Sequence, residues 1–312
     1  MWRFIIGGIA GVVIYLITKE KKNPTDMTNT HNQFLQFAQN ISVTGSKTKK
    51  LIASRKALQE RIIAHFKTKP GVLVPKFYIQ GSYKMKTMVL KKDGTYDVDL
   101  GVYFLTKPAI EPKTLQKWVF EAVNGHTSST PEHKKKCIRV IYKGDFDIDL
   151  PVYYKTSSDL SPYLATKEKW EESDPKELCD WFNMKKDRAG QMLRLIKYFK
   201  IWANTRSGKM PSGIAFTVWV ANNFKANERD DIAFYETATA IQNSLYWGIS
   251  CTNPATPGDD LTSKLDANQK NNFKYALASL VQDAYQAIYQ QNDVTKACNV
   301  WRKQLGDKFP LV

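Results

Sequence analysis

An α+β fold, with a mixed sheet at its core and a helical second lobe, is what this sequence predicts, on three observations. Short β-rich runs ("KFYIQ", "YDVDLGVYF", "CIRVIY", "DFDIDLPVYY") crowd into residues 76–154 and alternate with polar turns. Apolar side chains recur at helical spacing before them, over 31–67, and again from about Lys167 onward. Hydrophobic residues make up 43% and aromatics 12% of 312 residues, enough for a substantial core and too many for global disorder.

Taken in order, the chain opens on "MWRFIIGGIAGVVIYLIT", apolar from Phe4 to Ile17 and followed by "KEKK". A spanning helix usually needs about 20 residues, so the run is short, but Trp2 and Lys19 can sit at the two interfaces. No small-residue cleavage site follows, which disfavours a secretory signal, and the heavier positive flank downstream favours a cytoplasmic body. The expectation is an N-terminal apolar helix that anchors the protein in the inner membrane through residues 2–18. Met27 would equally open a soluble protein. "NPTDMTNT" reads as a linker.

Phe34, Leu35 and Phe37, then Leu51, Ile52, Leu58, Ile62, Ile63 and Phe66, mark a helical spine that Gly45 interrupts. The lysines and arginines of "KTKKLIASRKALQER" read as its solvated face. One helix is expected near 113–124, inside the β-rich region. The stretches "KELCDWFNMKKDRAGQMLRLIKYFKIWANTR", "PSGIAFTVWVANNF" and "ANQKNNFKYALASLVQDAYQAIYQQ" supply the second lobe. The expected division is 1–25 anchor and linker, 26–165 spine and α/β core, and 166–312 helical lobe.

Lys and Arg number 46 against 30 Asp and Glu, a net charge of +16 that favours nucleotides, nucleic acid or an acidic membrane surface. The four cysteines are scattered without a C-x-x-C pair, which argues against a zinc site and for reduced thiols. The chemistry lies in the acidic strands. Residues i and i+2 of a strand share a face, so Asp97 and Asp99 in "YDVDL" lie side by side, as do Asp145, Asp147 and Asp149 in "DFDIDL". Adjacent carboxylates repel unless a cation separates them. If the two strands are neighbours, a three-aspartate cluster results, and hard oxygen donors suit Mg²⁺ or Mn²⁺. A D-x-D alternation alone is most often merely solvated. Here "QGS" precedes it: Gly81 lets the backbone approach a phosphate, and Ser82 offers a hydroxyl and an N–H.

The stretch "QGSYKMKT…YDVDLGVYF…DIDLPVYY" resembles the bacterial cGAS/DncV-like nucleotidyltransferases (CD-NTases) of anti-phage cyclic-oligonucleotide (CBASS) signalling, in the polymerase-β-like superfamily. The resemblance runs from about residue 31 to the C-terminus and leaves the apolar N-terminal segment outside it. It implies a polymerase-β-like core with Asp97 and Asp99 as the first two metal ligands and Asp149, in "DLPVYY", as the third. Asp147 is the reserve candidate. Gln80, Gly81 and Ser82 fall where the family touches the nucleotide. Lys197 in "RLIKYFKIW" and Ser212 in "MPSGIAF" match contacts to the triphosphate; taken without the family they read as a surface lysine and a helix N-cap. Asp180 and Asn183 in "CDWFNM" are candidates for reading a base edge, and Tyr198 for stacking on a base. Trp181 and Phe182 read as core, and "NPATPGDDLTS" as a rigid turn and helix start.

The implied activity is template-independent joining of nucleoside triphosphates, ATP and GTP among them, into a cyclic oligonucleotide, with a cyclic dinucleotide as the favoured product, and loss of pyrophosphate. Two Mg²⁺ or Mn²⁺ ions would assist, no nucleic acid would be required, and the product would act on a separate effector. Two other readings stand beside it. One is a linear-oligonucleotide or RNA-tailing nucleotidyltransferase with an open primer groove. The other is a membrane-tethered nucleic-acid-binding protein that uses the +16 charge without catalysis.

Overall fold

The computed structural model describes residues 27–43 and 45–312, so the expected anchor at 2–18 lies outside the described residues. Among the described residues no helix is long and apolar enough to cross a membrane. Two helices, α1 (His31–Asn40) and α2 (Gly45–Phe66), precede the sheet region. There follow β1 (Lys76–Gln80), the single turn α3 (Gly81–Lys84), β2 (Tyr96–Phe104), α4 (Pro112–Val123) and β3 (Glu132–His133). Next come β4 (Ile138–Tyr142), β5 (Phe146–Leu150), β6 (Val152–Tyr154), β7 (Tyr163–Ala165) and β8 (Trp170–Glu172). The second lobe begins with α5 (Pro175–Lys185), α6 (Gln191–Thr205), α7 (Gly213–Asn223) and α8 (Asp230–Ser244). It ends with β9 (Thr252–Asn253), β10 (Thr256–Asp260), α9 (Ala267–Tyr285), a π-helical turn Gln286–Gln290, and α10 (Val294–Leu305).

The sheet order is β3-β4-β5-β2-β6-β7-β8, with β1 also paired to β2. Central β2 runs parallel to β5 over its first half and parallel to β6 over its second. Pro151 separates β5 from β6, as expected of a residue that cannot donate to a ladder; its carbonyl still accepts from Val102 N–H at 2.9 Å. Tyr96, Val98 and Leu100 of β2 point into a core built with Leu58, Ile62 and Phe66 of α2 and Leu115 and Val119 of α4. The alternation therefore leaves Asp97 and Asp99 on the other face.

A second core holds the helical lobe, and α1 belongs to it. Phe34 packs edge-on against Tyr198 at 5.2 Å and Trp301 at 4.9 Å, between α6 and α10. Phe34, Phe37 and Ile41 form a helical stripe that finds its apolar partner there, so α1 and α2, though adjacent in sequence, serve different cores. The expected grouping of the whole 31–67 spine with the α/β core fails for this reason. The expected boundary at 165/166 also falls short, because β8 extends the sheet to Glu172 through its pairing with β7. Residues 252–260 form a short hairpin rather than a simple turn. The Asp260 carboxylate closes it by accepting from the N–H groups of Cys251 and Thr262, both at 2.9 Å. The next helix starts only after Asp266, which forms a capping box with Gln269.

Candidate active site

Parallel pairing of β2 with β5 sets Asp97 opposite Asp147 and Asp99 opposite Asp149. The same alternation that buries Tyr96, Val98, Phe146 and Ile148 turns all four carboxylates to one face. Asp145 is set apart and pairs with Lys50. On the other side of β2, Gln80 lies opposite Asp99, and the chain then turns through Gly81 at φ +63°. A Cβ at Gly81 would stand 2.2 Å from Asp99 Oδ2. Glycine is needed here twice over, for its φ and for the closeness of the carboxylate.

The face is short of positive charge. Arg139, opposite Asp149 on β4, holds that carboxylate in a fork: Nε donates to Oδ1 at 2.8 Å and Nη2 to Oδ2 at 2.7 Å. The same guanidinium donates to Asp147 Oδ2 at 3.2 Å and lies 3.4 Å from Asp97 Oδ1. These bonds, that to Asp149 foremost, raise the Arg139 pKa further. Lys91 Nζ donates to Asp97 Oδ1 at 2.7 Å. Among the described residues Asp99 has no such partner. Burial first, then the charges of Asp149 and Asp97, push its pKa up to about 7 against the weaker pull of Arg139 and Lys200. Asp147 is raised too, chiefly by burial.

Lys200 of α6 is the lobe's contribution. Its Nζ donates to Thr87 O at 3.0 Å and Oγ1 at 2.9 Å, while burial lowers its pKa to about 7 against the opposing charge of Asp99. It packs so closely on Gly213, at the start of α7, that a Cβ there would lie 3.2 Å from Lys200 Cε.

An all-carboxylate donor set with an uncompensated member fits a hard divalent cation. As placed, both oxygens of Asp149 are committed to Arg139, and no group of three His, Cys, Asp or Glu among the described residues converges to hold an ion.

The structure thus brings together Asp97, Asp99, Asp149, Asp147 and Gly81, with half-buried Ser82 next in the chain. It sequesters Gln80, whose Nε2 donates to Tyr153 OH at 3.0 Å and whose Oε1 accepts from Tyr103 OH at 3.2 Å. Lys197 reaches instead to Ser42 Oγ at 3.1 Å. Ser212 is exposed and caps α7, accepting from Ala215 N–H at 3.3 Å. Asn183 is exposed on α5 and accepts from Lys186 at 2.7 Å, and Asp180 pairs with Lys176 at 2.9 Å. The stacking role expected of Tyr198 is excluded. Its ring is fully buried, with the hydroxyl 2.8 Å from Phe34 O and 2.9 Å from Asp230 Oδ2. Phe182 is core as expected, and Trp181 packs half-buried against it.

Sequence reasoning missed Arg139 and Lys200. The signal for Arg139 was a lone cation amid the apolar β-run "CIRVIY". For Lys200 there was none beyond its spacing from Lys197, because two lysines three apart on a helix look alike until its packing is known.

Residues 75–153, which span β1 to β6, match the family described as cyclic GMP-AMP synthase DncV-like, nucleotidyltransferase domain. The cyclic GMP-AMP synthase of Escherichia albertii is 32% identical over 258 residues, covering 77% of this chain and 57% of that protein. The chain thus spans little more than half the length of this curated relative. Among solved structures, the GTP-bound form of Vibrio cholerae DncV matches with a TM-score of 0.79 at 17% identity, over 91% of this chain and 97% of that one. The Bradyrhizobium diazoefficiens CD-NTase CdnG in complex with GTP matches with a TM-score of 0.74 at 14% identity, over 88% of this chain and 94% of that one. At such identities the structures speak for the fold alone. Together with the paired aspartates, these matches establish residues 75–153 as a nucleotidyltransferase domain of the DncV-like family, set in a chain with the DncV fold.

Proposed function

We propose that the protein joins nucleoside triphosphates into a cyclic oligonucleotide, releasing pyrophosphate. The observation that carries this reading is the in-register pair of acidic strands beside Gly81, with Asp99 in no ion pair among the described residues. Asp97, Asp99 and Asp149 would hold two divalent ions, Mg²⁺ or Mn²⁺. When bound, these supply charge neutralisation of the triphosphate and a more acidic attacking hydroxyl.

The rest of the work falls to this chain's own groups. Gly81 lets the backbone approach the triphosphate, and Ser82 offers it a hydroxyl and an N–H. Lys200 adds positive charge from the helical lobe, and the N-terminus of α7 at Ser212 adds N–H donors. The α2–sheet unit and the helical lobe would close on the substrates from two sides, orienting a 3′- or 2′-hydroxyl toward the α-phosphorus of the partner nucleotide. A second attack within the linear intermediate would close the ring. Sequestered Gln80 would support the turn from beneath.

A cyclic dinucleotide with at least one purine is the product this reading favours. The Escherichia albertii relative is a cyclic GMP-AMP synthase, and the Vibrio cholerae protein has been captured with ATP and GTP and with the linear intermediate pppA(3′,5′)pG. The product would signal to a separate effector in anti-phage defence. The test is incubation with all four triphosphates and Mg²⁺ or Mn²⁺, phosphatase treatment and mass spectrometry. A phosphatase-resistant cyclic product, lost in Asp97→Asn/Asp99→Asn, is expected. A product wholly sensitive to phosphatase would mean a linear-oligonucleotide enzyme. Salt-dependent duplex binding without turnover would replace the enzymatic reading altogether.

A further inference from the structure

A cleft of about 490 Å³ opens beside the 81–90 loop. Ser42, Ile79, Tyr83, Lys84, Lys86 and Lys197 line it, and no carboxylate among the described residues does. Ile79 and Gln80 are adjacent on a strand, so Ile79 points away from the face that Gln80 shares with Asp99. Ile79 thus meets the cleft from the side of β1 opposite Gln80, and none of the four aspartates of β2 and β5 lines it.

Three features of the cleft exceed an ordinary basic surface. Lys197 is half-buried with a neutral hydroxyl, Ser42 Oγ at 3.1 Å, as its partner, and burial lowers its pKa with no carboxylate opposing. Lys86 sits at φ 60°, the one non-glycine residue with positive φ among the described residues, a strained backbone conformation. Behind Tyr83, the Arg55 guanidinium lies 5.3 Å from the ring centroid, and its Nε and Nη1 are buried without a hydrogen-bond partner. Three lysines thus line the space, with Arg55 behind Tyr83, and neither Lys84 nor Lys86 has an ion pair among the described residues.

We propose that this cleft is a second binding site, distinct from the catalytic face, for a nucleotide-sized phosphate-bearing anion. Lysines bind such a ligand as mobile point charges, and Tyr83 offers a ring face backed by a guanidinium. The ligand would also brace the loop that carries Gly81 over Asp99 and Thr87 against Lys200.

The test is calorimetric titration of inorganic tripolyphosphate into the full chain in EDTA, where no turnover or metal bridging can occur. One site is expected. Lys84→Gln with Lys86→Asn, an exposed pair in which asparagine tolerates the left-handed backbone, should weaken it by at least about tenfold. Asp97→Asn/Asp99→Asn should leave the affinity as it is. Titrating ATP and GTP in parallel separates the sources: tighter binding than tripolyphosphate assigns a nucleotide, and equal binding assigns a bare phosphate chain. Affinity unaltered by the lysine changes, or altered by the aspartate changes, overturns the separate site. Because no catalysis is read, this result stands or falls apart from the proposed activity.

Discussion

Asp230 and Asp231 of the helical lobe, and Asp97 and Asp99 of the sheet, are both close-set acidic pairs, and the molecule neutralises them in opposite ways. Asp230 and Asp231 are wholly buried. Asp230 takes a fork from Arg194 at 2.6 and 2.7 Å and further hydrogen bonds from Gln191 and Tyr198, both at 2.9 Å. Burial acts to raise its pKa, but the bonds from Arg194 and Gln191 outweigh it and hold the group below the ordinary carboxylate range. Asp231 accepts from Arg229 at 2.7 Å and from Thr30 N–H and Oγ1 at 2.9 and 2.8 Å. These bonds fasten α1 to α8. Asp99 is the reverse, a carboxylate raised to about 7 with no hydrogen bond or ion pair to its side chain among the described residues. Saturated charge is structure; unsaturated charge in an open face marks a site.

Five measurements would sharpen or break this contrast. The largest effect is on activity: Asp99→Asn should cut product formation by about three orders of magnitude or more, read by mass spectrometry, while Asp230→Ala protein that remains folded keeps its turnover. On stability the ranking inverts. Asp230→Ala should cost about 3–5 kcal/mol in denaturant unfolding, since it strands Arg194. Asp99→Asn should stabilise the metal-free protein at pH 8 by roughly 1–3 kcal/mol, solvent screening included. If both aspartates destabilised alike on removal, the contrast would be void.

The sign follows from linkage. The folded Asp99 binds its proton more tightly than an unfolded aspartate, so stability falls as pH rises from the ordinary carboxylate range to about 7 and stays reduced above it. Lys200, lowered to about 7, gives the opposite slope at higher pH. Urea midpoints of wild type and Asp99→Asn across pH 4–8 should therefore diverge on the alkaline side; parallel curves would refute the raised pKa. Gly81→Ala should lose about 1–3 kcal/mol and displace Asp99, seen as a lower melting temperature with weaker Mn²⁺ binding. The smallest effect concerns Arg139. If it competes with metal for Asp149, Arg139→Gln should tighten Mn²⁺ binding in calorimetry by about tenfold without nucleotide present. An unchanged affinity would leave Arg139 a purely structural cation.

Much of this was legible in the residues. Period-two alternation in "YDVDL" and "DFDIDL" places carboxylates on one face of each strand whatever surrounds them, and Gly81 is readable as a close backbone approach. The helical stripe of α1 was legible as well, but not its destination among the aromatic rings of α6 and α10. Nor did the sequence distinguish Lys197 from Lys200, or show that the Gln80 amide ends on Tyr103 and Tyr153.

What the chain determined by itself is therefore local: strand and helix periods, the acidic faces and the glycine turn, all of which follow from backbone geometry over a few residues. What only the tertiary structure decided is pairing. The β2–β5 register, the Arg139 fork and the hydrogen bonds of Lys200 to Thr87 each depend on which distant segments meet, and charge neutralisation at a few ångströms is a property of that meeting.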